Sequence, residues 1–398
     1  MSRALFLSPE PPYPLTGGGQ LRTAALLEYV ARRFDTDLVL FHVDGASDPA
    51  EGLPPHLVKE VYKLRLPAHS KRPVARAVRN LGRLARRVPP LLDRFSGKTL
   101  PLDRWLQGRT YDLAIIEHFW AAPYADVLRK HASTLVLDLH NIESEWHERF
   151  AAHESFPASW VHLEFANLYR AREQQWLPRF DCILTPSQRE ADRIRTSNAA
   201  VHVYPNTIPH AVLPVIEKTQ SLVFSGNWEY EPNRRGLRFF LHQVWPAVRA
   251  KHPDLRLRCL GKNPHAIAEM VGPDTSIEMT GPVGNAVEEL ARSTIAVVPL
   301  LSGSGTRVKV LEAWAAGLPI VSTRLGVEGL DAIKGTHCHI ADSPGEFAFC
   351  ILHLLNDDAL RARLGRAGRV LYEEAYTWEA GWKKLEKIDS LTRAERLY

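Results

Sequence analysis

Cysteine is scarce in this chain of 398 residues: Cys182, Cys259, Cys338 and Cys350 are all there are, and no two form a C-x-x-C pair. That excludes a disulfide framework and a thiolate metal site, and leaves small buried apolar side chains in a reducing compartment. Long apolar runs are missing as well. No stretch approaches the ~20 residues that a membrane-spanning helix needs. The first run, Ala4-Leu5-Phe6-Leu7, breaks at Pro9 and reads as a first strand rather than a secretion signal. A strong charge of one sign is also absent. The formal net charge is +5, a mildly basic surface that suits phosphate-bearing ligands or acidic membranes without selecting between them. Neither a repeat nor a low-complexity tract is present, and with 45% apolar and 24% charged residues the composition is that of an ordinary folded protein.

What is there is alternation. Short apolar runs alternate with longer stretches of helical period, the pattern of parallel sheets with crossover helices, and the length implies two or three domains at roughly 150 residues each. Strands are expected at Ala4 to Leu7, Asp37 to His42, Val61 to Leu64, Leu113 to Ile116, Thr134 to Asp138, Cys182 to Thr185 and Val201 to Tyr204. Helices are expected between them, notably Gln20 to Arg33 and Ser159 to Trp176. A turn-rich, proline-rich stretch from Tyr204 to Pro214 then separates two halves. The first domain is placed at 1–205, a linker at 206–220 and a second domain at 221–375. Strands of the second half are expected at Leu222 to Ser225, Leu255 to Leu260, Ile277 to Thr280, Ile295 to Pro299 and Pro319 to Ser322, with a helical region from Pro344 onward.

One segment departs from this pattern. Between 71 and 94, Arg72, Arg76, Arg79, Arg83 and Arg86 fall on one helical face, with Val74, Val78, Leu81, Ala85 and Val88 opposite. Such a helix can lie on anionic lipid or receive a phosphorylated acceptor. The plain alternative is a surface helix whose apolar side packs on the sheet.

Candidate chemistry gathers at strand ends. Gly17-Gly18-Gly19 follows strand one and opens a helix, where free N–H groups aim at an anion. A dinucleotide fingerprint needs a third glycine where Arg22 stands, although Asp44 ends strand two where a ribose-binding acid belongs, so a nicotinamide enzyme stays open as an alternative. Glu117-His118 and His140-Asn141-Ile142-Glu143 follow two middle strands, and histidine and carboxylate at these points, His118 and His140 above all, suit sugar hydroxyls or proton relay. The most specific segment runs from Val297 to Val321. A buried strand ends in the loop Ser302-Gly303-Ser304-Gly305, a helix starts near Thr306 and stops at Gly317, and Arg307 and Lys309 in its first turn add charge enough to neutralise two phosphates without a metal. Lys309 and Glu312 share a face, so a surface ion pair is the plain alternative there.

On these residues the chain resembles the retaining two-domain glycosyltransferases of family 4, with the α/β GT-B fold: two Rossmann-like domains with parallel sheets facing a central cleft. Gly18 and Gly19 resemble the family's N-terminal glycine loop near the donor diphosphate. Asp138 to Glu143 is similar to the segment whose histidine, His140 here, sits beside the transferred sugar, with His118, Asn141 and Glu143 on the acceptor side. Gly226 and Asn227 resemble the opening of the donor domain, and Gly281 to Val283 the loop against which the base packs. Gly305 to Ala313 is similar to the family's signature. The resemblance implies that Ser304, Gly305, Thr306 and Leu311 line the donor site, that Glu312 binds the ribose, and that Trp378 marks where a C-terminal helix, 376–398, crosses back. It further implies transfer of a sugar from a nucleotide diphosphate sugar to a sugar, lipid-linked or other hydroxyl acceptor, with no cofactor or metal required and no nucleic acid. The expected place is the cytoplasm, and the basic face of 71–94 adds peripheral contact with an anionic membrane as one of its readings.

Two departures stand out. Ser304 occupies the place of a second glutamate, and Asn227 and Pro232 stand where many members carry an Arg and a Lys for the diphosphate. These positions leave Arg307 and Lys309 as the expected grip on that group. They also keep open a catalytically inactive binding or regulatory protein on the same fold, with a phosphorylase or sugar-nucleotide epimerase as further enzyme alternatives.

Overall fold

A computed structural model describes residues 2–70, 72–152, 154–194, 199–303 and 307–392. They divide into two compact units. One runs to Asn206 and includes the chain from Gly381 onward; the other comprises Thr207–Gly303 and Arg307–Ala380.

The first unit holds strands β1 (Arg3–Ser8), β2 (Asp35–Val43), β3 (Glu60–Leu66), β4 (Tyr111–Glu117), β5 (Ala132–Asp138), β6 (Cys182–Thr185) and β7 (Ala200–Val203). They form one seven-stranded sheet in the order β3-β2-β1-β4-β5-β6-β7. Every pairing is parallel. Strands covered by helices on both faces need no polar alternation, and β1 accordingly buries five residues in succession, from Ala4 to Ser8. Leu5, Leu7, Ala114, Ile116, Leu135 and Leu137 belong to one core cluster. From β1 the chain builds outward through β2 and β3, then returns to add β4 on the other side. That reversal leaves a crevice at the carboxyl ends of β1 and β4, where ligands of open α/β sheets bind.

The second unit repeats the plan. Strands β8 (Ser221–Ser225), β9 (Arg256–Leu260), β10 (Ile277–Thr280), β11 (Ile295–Val298), β12 (Ile320–Ser322) and β13 (His339–Ile340) form a parallel sheet in the order β10-β9-β8-β11-β12-β13. Its reversal lies between β8 and β11. The helix Val308–Ala315 follows β11 and stops where Gly317 takes a φ of +66°, with the Leu318 N–H donating to the Ala313 carbonyl at 2.9 Å.

The expected strands are all present, with no end shifted by more than two residues. β13 was not anticipated. It is two residues long and begins with a histidine, so it carries no apolar run to read.

The basic stripe is corrected. The helix spans Pro73–Ala85, and a separate helix follows at Pro90–Phe95, leaving Val88 outside both. Its apolar side does not pack on the sheet: Val74, Val78 and Leu81 are 76%, 65% and 69% exposed. Part of the arginine face turns inward instead. Arg83 is buried and donates to Asp93 at 2.9 Å, and Arg79 donates to the Ser70 carbonyl at 2.8 Å. Guanidinium partners decided the orientation.

Candidate functional site

At the carboxyl end of the first sheet, Glu117 closes β4 and Asp138 closes β5, and the two are register partners. The helix Gly18–Ala31 places Arg22 against them. Arg22 is 1% exposed, and its guanidinium grips both Asp138 oxygens, with Nε to Oδ2 at 2.7 Å. It also donates to the Tyr204 carbonyl at 2.6 Å and to Asn206 Oδ1 at 3.1 Å. The place of a dinucleotide fingerprint's third glycine is therefore taken by a buried strut.

His140 follows β5 by two residues. Its Nε2 lies 2.6 Å from Glu117 Oε2 and 3.5 Å from Asp138 Oδ2. Burial pulls the imidazole pKa down, but hydrogen bonds and charges from Asp138 and Glu117 outweigh it and raise the pKa to about 9. Asp138 is held below the usual carboxylate range despite its burial, because Arg22 and His140 favour its charge. Thr23 Oγ1 donates to Glu117 Oε2 at 3.1 Å. Glu117, His118 and His140 offer metal-ligand atoms within 4.8 Å of one another. A protonated imidazole has no lone pair to give, so this geometry favours holding a proton over holding a metal.

His118 is unusual in two ways. Its backbone sits at a φ of +61°, and its ring stacks on Trp120 at 4.1 Å and lies 3.7 Å from the His140 ring, tilted by 34°. Burial, with the cations His140 and Arg22 nearby, pushes its pKa well below the ordinary value. Neither of its buried ring nitrogens has a hydrogen-bond partner among the described residues. A left-handed non-glycine residue costs about 1–3 kcal/mol, and here that geometry carries a neutral ring with open polar atoms. Gly19 adjoins the group: a Cβ there would lie 3.4 Å from Glu10 Oε2 and 3.9 Å from His140 Nδ1. Glu143 is buried and accepts from Trp120 Nε1 at 2.9 Å; burial raises its pKa to about 8 against that bond. Asn141 lines a cavity of about 550 Å³ with Phe119, Leu139, Ile142, Ser144 and Glu173.

The titration of His140 has a sign that can be read. A histidine bound to carboxylates in the folded state, with a pKa near 9 against about 6.5 unfolded, takes up its proton more readily when folded. Its stabilising contribution is complete below about pH 6.5 and disappears as pH rises through 9, with an upper size of about 3 kcal/mol. Stability of the first unit is therefore expected to fall from pH 6.5 to 9.5 in urea titrations. His140→Gln should flatten that slope, and an unaltered slope would remove His140 as its source.

In the second unit, Gly226 follows β8 and meets two close neighbours. A Cβ on Gly261, whose φ is +134°, would lie 2.0 Å from the Gly226 carbonyl oxygen, so the two backbones touch. Asn233, in the helix Glu231–Phe239, donates to the Asn227 carbonyl at 2.8 Å and accepts from Lys309 Nζ at 2.6 Å. Lys309 thus reaches the turn where many family members carry their own lysine. Burial and the adjacent Arg307 lower its pKa to about 7, opposed by Glu312. Arg307 is buried at the start of the helix Val308–Ala315, with Glu328 Oε2 at 3.6 Å. The Glu312 carboxylate is half-buried and makes no hydrogen bond or ion pair among the described residues. Burial lifts its pKa to about 7, and Lys309 opposes this.

The expected residues therefore gather in two groups. Gly19, His118, His140 and Glu143 cluster in the first unit, with Gly18 opening the adjoining helix and Asn141 on the cavity. Gly226, Asn227, Arg307, Lys309 and Glu312 cluster in the second. Gly281 and Val283 follow the edge strand β10, and Leu311 is fully buried in its helix. Ser304, Gly305 and Thr306 lie outside the described residues. Glu117, singled out beside His118 at its strand end, joins the first group, whereas Glu10, Arg22, Trp120 and Asn233 were missed as members. For Glu10 the readable signal was position, since it stands two residues beyond a strand.

Comparison with known proteins gives the following. Residues 17–207 match the Glycosyl transferase 4-like domain and residues 219–357 match Glycosyl transferases group 1. An uncharacterized 44.6 kDa protein in the cps region of Klebsiella pneumoniae is 23% identical over 378 residues, covering 89% of this chain and 91% of its own. Sucrose-phosphate synthase from Thermosynechococcus elongatus has a similar structure, with a TM-score of 0.70 at 16% identity over 97% of this chain and 98% of its own. HepE of Anabaena, solved in complex with UDP and glucose, gives a TM-score of 0.63 at 15% identity over 97% and 99%.

Proposed function

From a chain that belongs to the glycosyltransferases of the GT-B fold, we propose a retaining enzyme that moves a sugar from a nucleotide diphosphate sugar to an acceptor hydroxyl. The product would be a polysaccharide, glycan or glycolipid made in the cytoplasm. The Klebsiella relative in a cps region favours the first of these.

In this reading the donor lies on the second unit at the carboxyl ends of β8 and β11. Departure of the nucleotide leaves negative charge on its terminal phosphate, and stabilising that charge is the main catalytic demand. Arg307, Lys309 and the first N–H groups of the helix Val308–Ala315 answer it. Lys309, held near neutrality by burial and Arg307, regains full charge when a diphosphate arrives. Gly281 and Val283 pack against the base. His140 contacts the transferred sugar as a cation fixed by Glu117 and Asp138, and His118, Asn141 and Glu143 face the acceptor. No cofactor or metal is needed for this chemistry.

The observation that carries the reading is Glu312. A half-buried carboxylate without a hydrogen bond among the described residues is costly to hold in place, and two ribose hydroxyls would supply its missing donors. Glu312→Ala is expected to raise the donor KM by about 10- to 100-fold, from the loss of one or two charge-assisted hydrogen bonds. The thermal midpoint should not fall, since an unpaired carboxylate is what is removed. UDP is the first nucleotide to try in a thermal-shift panel, because HepE binds it. An unchanged KM together with an unchanged nucleotide shift would sink the ribose assignment.

A further inference from the structure

The helix Pro73–Ala85 exposes the side that a surface helix normally hides. Val74, Val78 and Leu81 stand at i, i+4 and i+7, so they form one stripe, and each is at least 65% exposed. Gly82 and Ala85 continue that side without a charge. Scattered exposed apolar residues need no explanation, but three large ones in line on a helix with arginines opposite make an amphipathic element with its apolar face unoccupied.

The surroundings say what would cover it. From Val61 to Leu102 the sequence contains a single acidic residue, Asp93. That carboxylate is already taken by Arg83 at 2.9 Å and Arg86 at 2.8 Å. Arg72, Arg76 and Arg87 are exposed around the same helix. The field there is positive enough to hold His69 below its ordinary pKa, where burial is joined by Arg94, Arg79 and Arg83. A second copy of this chain would bring the same positive segment against itself. An anionic bilayer offers both what the stripe lacks and what the arginines lack. No described helix is long and apolar enough to cross a membrane, so the contact is with its surface.

We propose that the first unit docks on anionic lipid through this helix, with Val74, Val78 and Leu81 entering the boundary between headgroups and acyl chains. Arg72, Arg76 and Arg87 stay at the level of the lipid phosphates. The proposal does not rest on the sugar-transfer reading, and it differs from a purely electrostatic contact because the apolar stripe carries the insertion.

The test is flotation of the full chain with vesicles of phosphatidylcholine, with and without phosphatidylglycerol. The wild type should float with the mixed vesicles and little with phosphatidylcholine alone. The pair Val78→Asp and Leu81→Asp should float about tenfold less or worse. Their thermal midpoints should match the wild type, because both side chains already face water. Arg72→Glu with Arg76→Glu should weaken binding to the mixed vesicles. Equal flotation of the Asp pair would overturn the proposal. So would a wild type that stays down with both vesicle types. Finding the wild type dimeric and the Asp pair monomeric would also overturn it, assigning the face to a second copy.

Discussion

Changing Arg307 and Lys309 together to Ala is expected to lower kcat by about a thousandfold or more, with a much smaller change in donor KM. The size follows from oxyanion sites, where removing one well-placed donor costs about 10²–10³ in kcat. The split follows from when the charge appears. A bound donor already carries its phosphates, but the extra charge on the leaving group develops only as the glycosidic bond breaks. Lys309 reaches Asn233 at 2.6 Å and stands beside the Gly226 turn, so it is positioned before any ligand arrives. Arg307 is buried within 3.6 Å of Glu328, and its loss will cost some stability as well. Thermal midpoints of the single variants separate that cost from catalysis. If kcat of a folded double variant stayed at the wild-type value, the leaving-group role would be lost.

The largest expected stability effect belongs to Asp138→Ala. It strands the Arg22 guanidinium, 1% exposed, beside a missing carboxylate. Removing one partner of a buried pair costs about 3–5 kcal/mol, because the other charge stays behind unpaired. For a unit of this size that corresponds to roughly 6–20 °C in thermal midpoint. Arg22→Met should be similarly damaging alone, and Arg22→Met with Asp138→Leu should cost less than the two separately, since no charge is then stranded. Strictly additive costs would mean that Arg22 acts mainly through its bonds to Tyr204 and Asn206. Because Asp138 also helps hold His140 protonated, the Asp138 variant should flatten the pH slope too.

The sheets were legible because a parallel strand covered on both faces is a continuous apolar run, as in Leu135-Val136-Leu137, and such runs alternate with helical periods along the whole chain. Edge strand β13 lacks that signature. The stripe at Pro73–Ala85 shows a different limit. Periodicity reveals that a helix has two faces but not which one turns inward, and that choice was made by Asp93 and the Ser70 carbonyl. The same limit applied to the site. His140 could be picked out at the end of its strand, and Glu312 and Lys309 by their place in a signature. Arg22 could not, because its role comes from a carboxylate 116 positions away. The plain reading of Lys309 and Glu312 as an ion pair fails for a spatial reason: Asn233, far off in sequence, takes the lysine.

The helix Trp378–Leu385 starts in one unit and finishes in the other. Beyond Ala380, Trp382 donates its indole N–H to the Ala25 carbonyl at 2.8 Å, Arg32 lies over its ring, and Arg33 pairs with Glu386 at 2.7 Å. The first unit is therefore sealed by side chains that lie 353 and 357 positions further along the chain than their partners. During synthesis its first helix waits, one flank uncovered, until Trp382 and Glu386 have emerged. A gene split after codon 206 would yield a first product missing that seal unless the second were supplied in trans.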